Sequence, residues 1–227
     1  MNSDKRLTTT GSTAKGPQAA ELWPLVHAER AALAADLAGL TDEQWATPSW
    51  CEGLSVREVL AHLTAGASLT SLRWLAGVIR CRFDFDKQVA MRLAEQLGAS
   101  PAETLARFAR VVESTTKPPL PVIAMLGEAV VHAEDIRGPL GLRNASPIGT
   151  LTLVAEYYQG SDQVVAARRR IAGLRLAATD GPFATGSGPL VSGTTLALIM
   201  ATTGRMAYCD ELEGDGVEIL RGRHAMR

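Results

Sequence analysis

Six apolar side chains, Leu22, Leu25, Val26, Leu33, Leu37 and Leu40, recur at the three- and four-residue spacing of one helical face. A helix over residues 19–40 with such a stripe is stable only if the stripe is covered, so the chain must supply further helices with matching faces. Pro24 lies near the start, where a missing N–H is tolerated within the first turn or two, so the helix could begin later than residue 19.

A second stripe, Val56, Val59, Leu60 and Leu63, follows Ser55 and Glu58, whose spacing is that of a capping box that starts a helix. That helix is expected to run to about residue 82, with a break near Gly66 or Gly77. Residues 83–86 interrupt the pattern, and a short helix follows to about residue 97. Ser100 and Glu103 form a second capping box with Pro101 at the first helical position. Its helix ends before Lys117, because Pro118 and Pro119 cannot continue it. Residues 122–137 form the next helix, stopped by Gly138 and Pro139, and Pro147 opens another to about residue 170. Residues 41–53 read as a connection holding Trp45, Pro48 and Trp50.

Beyond residue 170 the character changes. Residues 174–179 alternate weakly, as a strand would, and 182–193 suit a strand with turns. Residues 194–203 are helix-like and end at Gly204, and 217–220 read as a final short strand. The expected fold class is mainly α: a helical bundle over 19–170 and a small C-terminal α/β region over 171–227, after a disordered tail over 1–18.

Composition narrows the partners. The formal net charge is −1, so no basic field exists to hold nucleic acid or an anionic membrane. Cys51, Cys81 and Cys209 are odd in number and far apart, with no CxxC, which argues against a disulfide framework or a zinc ribbon and suits a reducing cytoplasm. The Thr-, Ser- and Gly-rich start lacks the apolar core of a signal peptide. No stretch approaches the roughly 18–20 apolar residues of a membrane span.

The chain has four histidines, His27, His62, His132 and His224. Glu128 and His132 are four apart on one expected helix and project from the same face, with Asp135 three residues further on. His62 belongs to a different helix, beside the stripe of Val59, Leu60 and Leu63. Two ligands from one helix and one from another can meet in a bundle core, and two imidazoles with one carboxylate form an open divalent-metal site. Spacing alone leaves this open, since Glu-x-x-x-His also occurs as a surface pair and a lone histidine on an apolar face is often a satisfied core residue.

Three blocks add to this. The first is LTDEQW over 40–45, WCEG over 50–53 and SVREVLAHL over 55–63. The second is EAVVHAEDIR over 128–137 followed by GPLG over 138–141. The third is TGR over 203–205 with LEGDG over 212–216. In order and spacing they resemble the mycothiol-dependent maleylpyruvate isomerase family of the DinB-like superfamily. The resemblance implies a DinB-like four-helix bundle with a smaller α/β region behind it. It also implies a divalent metal, usually zinc, on His62, Glu128 and His132, and mycothiol, the small thiol of actinobacteria, as cosubstrate. The short tail after Leu174 departs from the family and leaves a full C-terminal α/β domain doubtful.

The chemistry expected from the resemblance is a metal-activated thiolate attacking a small electrophile, either as an isomerase or as an S-transferase. Asp135 could orient a ligand imidazole, or be a solvated carboxylate. Arg205 could grip a substrate or thiol carboxylate, or meet free carbonyls at a helix end. Both are candidate catalytic residues. Cys51 is read as a small buried hydrophobe before a nucleophile or ligand. Trp45 and Trp50 wedge the connection onto the bundle, with Trp50 at the site entrance. Cys81, Cys209 and His224 read as structural or incidental, and His27 and the run Arg168, Arg169 and Arg170 as solvated. The bundle could also pair as a homodimer. Competing readings are a hydrolase or cyclase of the same fold that uses bound water, and a non-catalytic metal-binding protein.

Overall fold

The computed structural model describes residues 17–143 and 146–223. His224 and nearly all of the expected N-terminal tail lie outside them. Eleven helices and three strands are present among the described residues. Helix α1 (Ala19–Asp36) is followed by the short α2 (Asp42–Ala46) and by α3 (Val56–Ser68). Helices α4 (Ser71–Arg80) and α5 (Phe85–Gln96) form a hairpin between α3 and α6 (Pro101–Ala109). The long α7 (Val122–Leu140) comes next.

Helices α1, α7, α3 and α6 pack in a closed ring, each against the next. This is the four-helix bundle that the family resemblance implied, and its layer architecture follows from covering each apolar stripe with another. Leu33, Leu37, Val59, Leu60, Leu63, Phe108 and Ile136 interlock at its centre, with Trp45 of α2 closing one end.

The other face of α7 looks onto a second layer. That layer holds α8 (Ile148–Gly160), α9 (Ala167–Arg170), a three-stranded sheet and α10 (Thr195–Thr202). A 3₁₀ turn (Met206–Glu211) and α11 (Val217–Gly222) complete it. Strand β1 (Arg175–Ala178) lies between β2 (Ala184–Gly186) and β3 (Leu190–Gly193), antiparallel to the first and parallel to the second. Leu176 stands level with Thr185 and Val191, and Leu176, Val191, Leu198 and Ile199 are buried in one cluster with Val130, Val131 and Tyr158. Helix α7 is therefore the wall between two cores. This explains why 13 of its residues are buried and why it shows no single apolar stripe.

Several boundaries differ from expectation for identifiable reasons. Helix α1 begins at Ala19 with Pro24 inside it and stops at Asp36, four residues short of Leu40. The expected connection contains α2, capped by Thr41 and Gln44 in a box the stripe reading overlooked. The helix expected to reach about residue 82 with a break near Gly66 or Gly77 does break, after Ser68, and Thr70 caps its continuation to Arg80. Gly138 and Pro139 do not stop α7, which runs to Leu140 and ends on Gly141 in the left-handed region. The helix opened by Pro147 ends at Gly160, and α9 is separate. Residues 217–222 are helical rather than a strand, since the turn at Gly214 and Gly216 starts a helix that buries Val217 and Leu220.

Candidate metal centre

Helix α3 carries His62 and α7 carries Glu128, His132 and Asp135. The two helices pack together, and the capping box of Ser55 and Glu58 sets where α3 starts. Glu128 Oε2 lies 3.5 Å from His62 Nε2 and 3.4 Å from His132 Nε2. The two imidazoles meet edge to face, with centroids 4.9 Å apart at 75°. All three donor atoms lie within 4.8 Å of one another.

These separations are long for hydrogen bonds, which prefer about 2.7–3.2 Å. They suit a shared ion better: tetrahedral bonds of about 2.0–2.2 Å set ligand atoms roughly 3.3–3.6 Å apart. The residues present therefore fit a divalent metal, and two nitrogens with one carboxylate are a donor set suited to zinc. Burial alone would raise the Glu128 carboxyl, but His132 and His62 beside it hold it well below the usual carboxylate range. Burial opposes the His132 imidazolium, yet Glu128 and Asp135 outweigh it and push that group well above the usual range.

Behind the site stands a buried relay. His132 Nδ1 is 2.9 Å from Asp135 Oδ2, and Asp135 is fully buried. Arg205 donates to both oxygens of that carboxylate, Nε to Oδ1 at 2.9 Å and a terminal nitrogen to Oδ2 at 2.5 Å. Burial raises the Asp135 carboxyl, but its bonds to His132 and Arg205 bring it below the ordinary value. The Asp135 carboxylate at Nδ1 fixes a ring proton there, so Nε2 is the nitrogen that would offer its lone pair to a metal between Glu128 and His62.

Arg205 follows Gly204, whose φ of 105° ends α10; its guanidinium is bound by Asp135 and by the Thr203 carbonyl. Trp50 donates its backbone N–H to the Asp135 carbonyl at 3.0 Å, so the 41–55 segment is pinned to α7 beside the site. Its ring meets Tyr208 edge-on, centroids 5.1 Å apart, and lies against Gly138.

Two further residues gather here: Cys51, which the sequence reading placed as a small buried hydrophobe ahead of a nucleophile or ligand, and Tyr158, which it did not single out. Cys51, half-buried, places its sulfur within 4.8 Å of donor atoms of both His132 and Asp135. Its sequence signal was its place eleven residues before His62. Tyr158, buried on α8, sets its hydroxyl where a Cβ on Gly127 would stand 2.7 Å away, one residue before Glu128. Burial and nearby Glu128 push its phenol well above the ordinary range. The bare glycine at 127 was the only sequence hint. By contrast, Cys81 and Cys209 are buried away from the cluster, as expected. His27 is half-buried and stacked on Trp23, ring centroids 5.7 Å apart, rather than solvated. Arg170 is also buried, donating to the Thr202 carbonyl at 2.6 Å, whereas Arg168 and Arg169 are exposed and pair with Asp162.

The packing of Trp50 gives a first prediction. A Cβ on Gly138 would fall inside the Trp50 ring. Alanine would gain up to about 1 kcal/mol of helix propensity, but moving an indole wedged against Tyr208 costs about 1–3 kcal/mol. Gly138→Ala should therefore lower stability in a denaturant titration; an unchanged or raised midpoint would show that Trp50 moves freely.

Residues 26–120 match the family model described as mycothiol maleylpyruvate isomerase N-terminal domain. Among solved structures, a mycothiol-dependent maleylpyruvate isomerase carrying a His-to-Ala mutation is 14% identical with a TM-score of 0.59, covering 88% of this chain and 93% of that one. Another structure of a mycothiol-dependent maleylpyruvate isomerase is 18% identical with a TM-score of 0.54 and the same coverage. No curated protein matches the chain. The family resemblance read from the sequence is borne out, and so is the fold class.

Proposed function

We propose that this chain, whose residues 26–120 match the family model described as mycothiol maleylpyruvate isomerase N-terminal domain, is a metal-dependent enzyme that uses mycothiol to attack a small electrophile. The observation that carries this reading is the convergence of Glu128 Oε2 on two imidazole nitrogens at 3.4 and 3.5 Å, with the second nitrogen of His132 already held by Asp135.

His62, Glu128 and His132 would hold the ion, zinc being the metal the donor set suits best. When bound, a divalent metal lowers the pKa of a thiol and supplies positive charge for an anionic nucleophile. The chain's own residues do the rest. Asp135 keeps the His132 ring in one tautomer and one orientation. Arg205, held on Asp135 by two bonds, neutralises that buried carboxylate and fixes its direction, a positioning role rather than a grip on substrate. Trp50 and Tyr208 wall the approach from the α2–α3 side.

Thiolate addition to one carbon of a cis double bond would allow rotation about the resulting single bond. Departure of the same thiolate then gives the trans isomer. If the electrophile carries a leaving group instead, the sulfur stays attached, and the outcome is an S-transferase. No helix among the described residues is long and apolar enough to cross a membrane, and free cysteines suit the reducing compartment where a thiol cosubstrate is available.

The test is turnover of maleylpyruvate by the zinc-loaded chain with and without mycothiol. Isomerisation or thiol conjugation that requires mycothiol is expected. Turnover of an ester or lactone indifferent to the thiol would replace this reading with the water-using one.

A further inference from the structure

Helix α4 is amphipathic in a direction its own fold does not use. Leu72, Leu75 and Ile79 share one face and are 79%, 51% and 62% exposed. The residues it turns inward are Gly77 and Val78. Its principal packing partner is α5, which in turn rides on α3.

Further large apolar residues of the same hairpin are exposed. Phe83 in the turn is 71% exposed, and Phe85 and Val89 on α5 are 54% and 44% exposed. Arg82 and Phe83 adopt φ of 54° and 65°, a conformation bulky side chains take only under constraint. The turn thus holds Phe83 outward at a conformational cost. Trp74 and Phe85, with ring centroids 6.3 Å apart, tie the two helices together. Gln88 donates to the Trp74 carbonyl at 3.0 Å and does the same.

We propose that this α4–α5 face is the surface through which two copies of the chain pair. Taking roughly 150–200 Å² for a large apolar side chain, the six exposed residues present on the order of 600 Å². That is at the upper limit for the largest apolar patch of a typical monomer, about 300–600 Å². With its polar rim it approaches the roughly 800 Å² per partner of a standard interface.

The rim fits a second copy. Exposed Arg80, Arg82 and Lys87 stand beside exposed Asp84 and Asp86, so both signs are present on one patch and can meet across a twofold axis. An anionic lipid surface would call for a one-signed cationic rim, and the chain's net charge of −1 offers no such field. The inference is independent of the chemistry at the metal centre, because none of these residues touches it.

Sedimentation velocity of the full chain from about 1 to 200 μM, a range that brackets micromolar pairing, tests the idea. A monomer–dimer equilibrium is expected, with hydrogen exchange over residues 71–89 slowing as the dimer forms. Leu75→Glu combined with Ile79→Glu should weaken pairing by at least about 30-fold, two buried charges opposing it, with circular dichroism and metal content unchanged. A monomer throughout the range, or protection that appears on another face, would overturn the proposal. So would capture by phosphatidylglycerol vesicles, lost in the double variant, without self-association. Should the double variant fail to fold, the wild-type masses and exchange map decide on their own.

Discussion

His132→Ala purified without added metal or chelator is expected to hold essentially no divalent ion, against about one per chain in the wild type. The loss is expected to be near complete. His132 is one of the three proposed donors, and its other nitrogen is held by Asp135 at 2.9 Å. Weakening the group behind a ligand costs about 10–100-fold in metal affinity, and removing the ligand itself must cost more. Turnover should fall with the metal. Elemental analysis alongside circular dichroism separates this from unfolding: a folded variant that keeps its ion would place the metal elsewhere, and a wild type that takes up none on titration would remove the metal reading altogether.

Asp135→Ala should produce the largest loss of stability of any single change at the site. Asp135 is fully exposed to nothing but protein, and the Arg205 side chain facing it is only 13% exposed. Removing the carboxylate leaves a guanidinium buried with one carbonyl acceptor, and breaking a buried pair in this way costs about 3–5 kcal/mol. For a chain of this size each kcal/mol shifts the melting temperature by roughly 2–4 °C, so a fall on the order of 10 °C is expected. The comparison belongs in chelator, so that loss of bound metal does not contribute. Adding Arg205→Ala to the same background should restore part of the loss, since the two residues act as one unit. A drop below about 1 kcal/mol, or a double variant as costly as both singles combined, would mean that Arg205 finds water or another partner.

How much of this was legible in the sequence can be judged residue by residue. The stripes of α1 and α3 and the box at Ser55 and Glu58 announced a bundle, because each local preference agreed with the final packing. Glu128 and His132 were legible as a pair from helical spacing, and the third member, His62, from the family resemblance. Arg205 was visible only as a residue after a helix-ending glycine. Its bond to Asp135 spans 70 positions, and no local pattern encodes a contact of that range. Cys51 and Tyr158 were likewise brought to the site by tertiary packing. The misjudged stop at Gly138 and Pro139 has a simpler cause: α7 is enclosed on both sides, and packing outweighs the local cost of a proline near a helix end. The strand expected at 217–220 was a four-residue pattern too short to distinguish from a helical turn.

The double role of α7 has a consequence for what counts as a unit of this protein. The stretch 26–120 that matches the N-terminal domain family contains His62 but ends before Glu128, His132 and Asp135. Arg205 comes from later still, beyond the sheet. An excised N-terminal piece would keep one imidazole and no site, and a chain cut after α8 would keep three donors but lose the cation that neutralises Asp135. The proposed ion site is thus assembled only when both ends of the chain have found their places. A metal bound at that site would then stabilise the finished chain over every truncated or half-folded form, so its occupancy would read out completed folding.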